Sequence, residues 1–320
     1  MIFNMIKAYY YQRLCTKEKE LYIRIKVAME KEERYVKLYD ISDKKLQEVI
    51  NYVLLDNSMI YYVDARQFKV TYGVLKSELN LRYLYTPEQR KILDEKLTNR
   101  IKLISNRVKS NDDYETVKKL YSYFVSNYTY WDTGGNEEHT ILGPFINEEA
   151  VCQGFSYGFK CILDYLGVDC IVATGVLNDV PHAWNIVWIN QKAYHVDVTA
   201  GINLSKGVGM RYDYLCVDDT FLEKTHLRDN NFPVCNDGSM SYYYINDLIA
   251  NSETELLKLV RNMSEKGKIS FAIMVNKSLE SLLESELEKV MNAVLLHMDN
   301  VREIYYSYQN GILFIRFLRK

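Results

Sequence analysis

Three side chains in the middle of the chain have the types that nucleophilic catalysis requires: Cys152, His182 and Asp197. A thiolate can attack a carbonyl carbon, an imidazole can carry the proton, and a carboxylate can orient the imidazole and stabilise its cation. A single cysteine is more often a buried apolar side chain, so the prediction depends on all three together. They predict cysteine acyl-transfer chemistry.

The segment VCQGFSYGFKCILDYLG predicts a helix that begins at Cys152 and ends before Gly167. Unpaired backbone N–H groups and the helix dipole favour an anion at a helix start, so a cysteine there is stabilised as a thiolate. Gly154 allows a backbone or a substrate to come close. Gly167 suits the left-handed residue that closes a helix. Apolar residues recur at helical spacing: Phe155, Phe159, Ile162, Leu163 and Leu166.

Strand register predicts that His182 and Asp197 share one face of a sheet. Strands are expected over 169–177, 182–190 and 192–198, with a tight turn at Asn190-Gln191. That turn places His182 opposite Thr199 and makes Asp197 its diagonal neighbour, ~7–8 Å away at the backbone and within reach of a hydrogen bond. A turn at 189–190 would place the two residues directly opposite, on the same face again.

Zinc is the competing chemistry, because one Cys, one His and one Asp could also ligate it. Structural zinc sites usually show paired ligands and a fourth protein ligand, and the sequence displays neither. No metal or other cofactor is therefore predicted. The other cysteines form no CxxC pair and are expected to be mostly small buried side chains: Cys15, Cys161, Cys170, Cys216 and Cys235.

Three further residues are weak candidates for substrate binding. Gln153 follows the proposed nucleophile, and His139 lies on the Gly-rich loop before it. Trp184 alternates onto the face of His182. The alternatives to substrate binding are that His139 is an exposed loop residue without a role and that Trp184 is a core aromatic. The remaining histidines have no suggestive neighbours in the sequence and receive no role: His195, His226 and His297.

Charge and hydropathy argue against two classes of partner. The net charge is −2 without a basic block, which argues against nucleic-acid binding, and no apolar run approaches the ~20 residues of a membrane span. The first residues, MIFNMIKAYYYQRLCTKEKE, do not resemble a signal peptide. We expect a cytoplasmic protein if this is the native start, and an exported one if a leader was removed.

The length of the chain suits two or three domains, and the pattern of helices and strands along it predicts an α+β protein of three: 1–100, 101–235 and 236–320. The first is an accessory α+β region, with a helix over 43–55 after the N-cap Ser42 and strands within 59–85, including a hairpin near Tyr72-Gly73. Two more helices are expected, one from Pro87 to about 109 and one over 113–127.

The last domain is predicted to be a small α/β sandwich of βαβαββ order. Asn310-Gly311 between two alternating apolar runs indicates a hairpin. The expected strands are 242–248, 269–275, 301–308 and 312–318, and the expected helices are 252–265 and 278–298.

The segments AVCQGFSYGFKCILDYLGVDCIVATG and PHAWNIVWINQKAYHVDVTAG resemble the core of the transglutaminase-like superfamily. They contain a Cys-x-Gly helix start, a His-Ala-Trp-Asn strand and an Asp-x-Thr strand. The resemblance covers roughly 110–235. Weaker similarity to bacterial multidomain members extends through VINYVLLDNSMIYYVD, RYDYLCVDDTFLEKTH and SYYYIN. Ala200 departs from the pattern, since such proteins often have a tryptophan there.

The resemblance implies a papain-like core in which the helix that bears Cys152 packs on an antiparallel sheet that bears His182 and Asp197. It implies that these residues act as nucleophile, general base and orienter on amide or peptide bonds, through a thioester that is hydrolysed or transamidated. The superfamily includes transglutaminases, peptide hydrolases and deglycosylating amidases. A peptide or protein substrate is expected, with a cell-wall peptide among the candidates. The alternative is a non-catalytic peptide- or glycan-binding module on the same core. The sequence does not indicate an oligomeric state.

Overall fold

The computed structural model describes residues 8–73, 77–229, 232–296 and 301–319. These residues mix helices and strands throughout the chain, and the α+β fold class is as predicted. Within the described part, none of the helices has both the length and the apolar character that crossing a bilayer requires.

The N-terminal region combines helices with a small antiparallel sheet of order β1-β3-β2. Local caps set the helix starts as the sequence predicts: the Ser42 hydroxyl accepts from Lys45 N, and Pro87 occupies the first turn after the capping residue Thr86. The elements are α1 (Tyr9–Gln12), α2 (Thr16–Glu30), β1 (Tyr35–Leu38), α3 (Asp43–Asp56), β2 (Lys69–Tyr72), β3 (Ser77–Asn80) and α4 (Pro87–Val108).

The central region is built on an antiparallel five-stranded sheet of order β10-β6-β7-β8-β9, and helix α6 packs against β6 and β7. Strands β4 and β5 form a short parallel pair beside the start of α6. The elements are α5 (Asp113–Asn127), β4 (Thr129–Tyr130), β5 (Glu149–Ala150), α6 (Cys152–Leu166), β6 (Cys170–Leu177), β7 (Val180–Ile189), β8 (Lys192–Val196), α7 (Val198–Ser205), β9 (Leu215–Val217), α8 (Asp219–Leu222) and β10 (His226–Arg228).

The β7–β8 hairpin has the register that the sequence predicts. Asn190 and Gln191 form the turn with positive φ angles of 51° and 65°, and the strands pair out to Asn185 and Val196. The end of the second strand was predicted wrongly, because β8 stops at Val196 and α7 begins at Val198. A pair between His182 and Thr199 therefore does not form.

Asp197 ends β8 by capping α7 instead of continuing the strand. Its Oδ1 accepts a hydrogen bond from Ala200 N at 3.0 Å, which satisfies one of the open donors at the helix start. Aspartate followed by a helical turn is a recognisable N-cap signal, and it outweighs the β propensity of Val198 and Thr199.

The C-terminal region has the predicted βαβαββ order, with a sheet of order β11-β12-β14-β13 and a tight turn at Asn310-Gly311. The predicted strand over 242–248 is wrong, because Tyr242–Ile245 is a helical turn capped by the Ser241 hydroxyl. The elements are α9 (Tyr242–Ile245), β11 (Ile249–Ala250), α10 (Glu253–Glu265), β12 (Ser270–Val275), α11 (Lys277–Leu296), β13 (Val301–Gln309) and β14 (Ile312–Arg319).

Buried apolar side chains form two large clusters. The first runs from Tyr10 to Cys235 and joins the N-terminal and central elements in one core. The second runs from Ala250 to Phe317 and belongs to the C-terminal elements alone. The N-terminal region is therefore packed against the elements that carry the candidate site, while the domain boundaries near 100 and 236 stay predictions.

Candidate active site

Cys152 is the first residue of α6 and is half-buried. The preceding segment is fixed by the Gly-rich loop: Val151 N donates to Glu138 O at 3.2 Å, and the Glu138 carboxylate accepts from Thr133 N at 2.8 Å. The thiol thus lies where the first N–H groups of the helix lack intrahelical acceptors. This position can stabilise a thiolate or the oxyanion that forms next to it.

Gly154 allows this loop to pack against the helix start. A Cβ atom here would overlap the carbonyl oxygen of Glu138 and lie 2.9 Å from that of Thr140. We expect Gly154→Ala to lower the free energy of unfolding by about 1–3 kcal/mol, because backbone atoms would have to move. Denaturant melts against Tyr165→Ala, an exposed position on the same helix, measure this; equal stability of the two variants would contradict it.

His182 and Asp197 are in direct contact. His182 Nε2 lies 2.7 Å from Asp197 Oδ2, and the two side chains are 7% and 0% exposed. The Cys152 thiol lies near the His182 ring and acts on its pKa. Because Nε2 is bonded to Asp197, the nitrogen left for the thiol is Nδ1. The structure therefore brings the three predicted residues together in the order Cys–His–Asp.

The electrostatics of the pair favour a charged imidazole. Burial by itself would lower the pKa of His182, but the Asp197 carboxylate and the Cys152 thiol outweigh it and raise that pKa to about 10. Burial works against the Asp197 anion too, yet the His182 charge and hydrogen bonds from His182 and His226 hold the pKa of Asp197 well below its usual range. An imidazolium that persists at neutral pH is the partner a thiolate needs.

Trp184 is 1% exposed and lies behind His182, not at an open surface. Its ring stacks on the imidazole of His182 with centroids 6.2 Å apart, and its Nε1 donates to His195 Nδ1 at 3.1 Å. The structure therefore does not support the prediction that Trp184 contacts substrate. Its ring packs behind His182 instead, because the β7 face that carries it is covered by packed aromatic rings.

The other two weak candidates share a cavity of about 320 Å³ beside the start of α6. Gln153 lines it and donates to Tyr157 OH at 3.4 Å, and His139 lines it from the Gly-rich loop. The opposite wall comes from the N-terminal region: Leu54, Asn57, Ser58, Ile60, Tyr61, Val63, Ala65, Arg66 and Leu84. The N-terminal region thus contributes to the surroundings of the candidate nucleophile.

Two histidines that received no role from the sequence have specific partners. His226 Nε2 lies 3.1 Å from Asp197 Oδ2, and His195 Nε2 lies 2.9 Å from Asp219 Oδ1. The sequence indicated no polar partners for these two histidines, and this expectation was wrong. Their partners, Asp197 and Asp219, lie far from them along the chain. The third, His297, lies outside the described residues.

Tyr130 is a further residue that the sequence did not single out. It lies on β4, paired with Ala150 two residues before Cys152, and it is 38% exposed. Burial raises its pKa, and the nearby charge of Cys152 adds to the shift. Its hydroxyl therefore stays protonated near the sulfur and is a candidate hydrogen-bond donor to an oxyanion.

Among the described residues, the thiol of Cys152 and the ligand atoms of His182 and Asp197, the three groups considered for zinc, do not all lie within 4.8 Å of one another. Two other groups of described side chains place potential ligand atoms within 4.8 Å: His182, Asp197 and His226, and His195, Asp219 and Cys235. In both groups the carboxylate accepts N–H donors from histidine, and Arg228 also donates to Asp219 at 2.8 Å. These protons occupy the positions that a metal would need.

Residues 102–198 match the family model of the Transglutaminase-like superfamily. No match was found among curated proteins. Solved structures similar to the chain include a TGase (16% identity over 52% of this chain and 50% of that one, TM-score 0.32). Others are a candidate cysteine protease from Cytophaga hutchinsonii (14%, 42% and 61%, TM-score 0.29) and the periplasmic domain of TgpA from Pseudomonas aeruginosa (13%, 41% and 56%, TM-score 0.25).

The match to the first of these structures spans half of that protein's length. The family match, in contrast, includes α6, β7 and β8 and so contains the helix start and the hairpin that form the candidate site. The part of the chain that matches the transglutaminase-like superfamily therefore contains Cys152, His182 and Asp197.

Proposed function

We propose that the protein is a cysteine acyl-transfer enzyme that acts on amide or peptide bonds through a thioester. The observation that carries the proposal is the arrangement of Cys152 beside His182, which is hydrogen-bonded to Asp197, with the thiol at a helix start and the carboxylate fully buried. The proposed substrate is a peptide or protein, and cell-wall peptides are candidates.

In the first half-reaction the Cys152 thiolate attacks the carbonyl carbon, and the C=O electrons move to oxygen. In this proposal the N–H groups at the start of α6 and the Tyr130 hydroxyl stabilise that oxyanion. The His182 imidazolium gives its proton to the amide nitrogen as the C–N bond breaks. An amine leaves, and the acyl group stays on sulfur.

In the second half-reaction water or an amine attacks the thioester. Neutral His182 takes the proton of the attacking molecule, and the C–S bond breaks to regenerate the thiolate and the imidazolium. Asp197 stabilises the imidazolium whenever His182 holds the proton. Water yields a carboxylic acid, and an amine yields a new amide.

The test is product identification. Peptides that contain glutamine, and peptides with internal amide bonds, are incubated with the protein with and without a primary amine, and the products are identified by mass. Hydrolysis or amine incorporation supports the proposal. Peptide or glycan binding without any product would favour the non-catalytic module, and stoichiometric zinc in the purified protein would favour the metal site.

We expect iodoacetamide at pH 6 to alkylate Cys152 at least about tenfold faster than any other cysteine, since an ordinary thiol is less than ~1% ionised there. Cys15 is the internal control, because it is exposed and caps α2 without a histidine partner among the described residues. Burial raises the thiol pKa of the rest: Cys161, Cys170, Cys216 and Cys235.

Peptide mapping after timed alkylation measures these rates. His182→Gln should reduce Cys152 to the rate of Cys15, which separates the contribution of the imidazole from that of the helix start. Equal labelling of the two cysteines in the wild-type protein would count against an activated thiol. A denatured sample shows the intrinsic rates.

A further inference from the structure

His226 makes a contact that the proposed mechanism does not use. It lies on the edge strand β10, beyond the residues that match the family model, and its side chain is 0% exposed. Its Nε2 is 3.1 Å from Asp197 Oδ2, the same oxygen that is 2.7 Å from His182 Nε2. One carboxylate oxygen therefore receives two imidazoles from two strands.

The partners of His226 fix the direction of its hydrogen bonds. An ionised carboxylate only accepts, so Nε2 must carry a proton. His226 Nδ1 lies 2.8 Å from Thr225 Oγ1, which lies 3.0 Å from Tyr214 OH. In the neutral ring Nδ1 accepts from the Thr225 hydroxyl, and Thr225 can in turn accept from Tyr214. The series runs from Tyr214 through Thr225 and His226 to Asp197.

The sheet is built to allow this approach. Gly175 on β6 pairs with His182 on one side and with Arg228 on the other, so no side chain of β6 separates the two imidazoles at that level. A Cβ atom on Gly175 would overlap the carbonyl oxygen of Leu227. The His182 and His226 ring centroids are 5.5 Å apart, and Trp184 closes the space at 5.1 Å from the His226 ring.

We propose that His226 is a positioning residue that holds Asp197 Oδ2 against His182. Asp197 is fully buried, and Oδ1 is committed to Ala200 N as the cap of α7. The N–H of His226 supplies a donor that is independent of the charge on His182. This donor therefore keeps the Asp197 carboxylate ionised, with Oδ2 directed at His182, when His182 becomes neutral after proton transfer. This inference rests on the proposed function, because His226 acts through Asp197 on the Cys152–His182 pair.

The test uses alkylation of Cys152 by iodoacetamide as a function of pH and needs no substrate. The hydrogen bonds of His182 and His226 hold the pKa of Asp197 down, so removing one lets that pKa rise. Asp197 is then held less firmly against His182 and stabilises the imidazolium less, so the low-pH limit of the reactive thiolate–imidazolium pair moves upward. Four titratable groups on other elements face Asp197 or His226 directly: His182 on β7, His195 on β8, Tyr121 on α5 and Tyr214 before β9. Cys152 on α6 acts on Asp197 through His182. Burial raises the pKa of both tyrosines, which stay neutral below pH 8.

We expect His226→Leu to move the acid limb of the Cys152 alkylation profile up by about one pH unit, a roughly tenfold lower rate on that limb. His226→Gln keeps an N–H donor and should lie closer to wild type. Thr225→Val removes the hydroxyl that donates to His226 Nδ1 and so favours the proton on Nε2. This variant should shift the acid limb of the profile in the same direction, whereas Thr225→Ser should not. A folded His226→Leu with the wild-type profile would overturn the inference.

Thr225→Val decides the matter if His226→Leu does not fold, since it removes one hydroxyl at nearly constant volume. A wild-type profile for that variant would then overturn the inference, and a shifted limb that Thr225→Ser restores would support it. The failure of the proposed function looks different: the wild-type protein itself would show no preferential reaction of Cys152 at mildly acidic pH.

Discussion

Cys152→Ala should abolish turnover while leaving the protein folded. The substitution removes a half-buried sulfur at a helix start, where alanine is a good helix residue, so stability should change little. The acyl group then has no side chain to bond to, and removal of the nucleophile in a comparable triad costs about 10⁶-fold in kcat. We expect loss of activity to the assay floor, measured as product by mass with thermal unfolding monitored in parallel.

Cys15→Ala is the matched control, because it removes an exposed thiol from another helix start and should retain full turnover. The inactive Cys152→Ala protein should still bind the peptide that the wild type consumes, which calorimetry can measure. Wild-type turnover in Cys152→Ala would show that the catalytic hypothesis is wrong and would leave the binding-module hypothesis in its place.

Asp197→Asn should cost both activity and stability. Asp197 accepts three N–H donors, two on Oδ2 and one on Oδ1. An asparagine must turn its NH₂ group toward Ala200 N or toward the two histidines, so either orientation places donors against donors. We expect a loss of about 1–3 kcal/mol in the free energy of unfolding. A similar change in a serine triad lowers kcat ~10⁴-fold; we expect about 10²–10³-fold here, because a thiolate is the better nucleophile.

The pH dependence of this stability difference has a defined sign. The folded-state pKa of Asp197 is depressed, so its contribution is present above the pKa of the unfolded carboxyl, ~4, and is lost as pH falls below that value. The gap in melting temperature between wild type and Asp197→Asn should therefore narrow as the pH falls from 5 to 3. A constant gap would indicate that the cost is steric.

Asp219→Asn is the matched control for Asp197→Asn. Asp219 also accepts from a buried histidine, His195, on the same sheet, and should lose stability for the same reason. It does not contact His182 in the described structure, so turnover of the folded protein should be unchanged. Equal losses of activity in the two variants would mean that Asp197 acts only through stability.

Local signals in the sequence determined where the main helices and turns lie. Ser42, Pro87 and Gly167 mark helix ends because capping hydroxyls, a fixed φ and a left-handed residue act within one turn of backbone. Asn190-Gln191 determined the register of β7 and β8 in the same way. These effects depend on neighbours a few residues away, so the pattern alone predicts them.

The sequence also determined that His182 and Asp197 would meet, although for a partly incorrect reason. The turn register carried the two chains side by side, but the carboxylate reaches the imidazole from a helix cap, not from a strand. The cap turns Oδ1 toward Ala200 N and leaves Oδ2 for His182. Register sets which residues are neighbours, and the end of the strand sets the direction of the side chain.

Only the tertiary structure decided that His226 joins this group and that the N-terminal region walls the cavity next to Gln153. Strand β10 follows β9 in the chain but pairs with β6 at the opposite edge of the sheet, and no spacing in the sequence encodes that order. The order depends on which apolar faces can be buried together, a property of the whole core. Contacts that follow from it become visible only once the chain is folded.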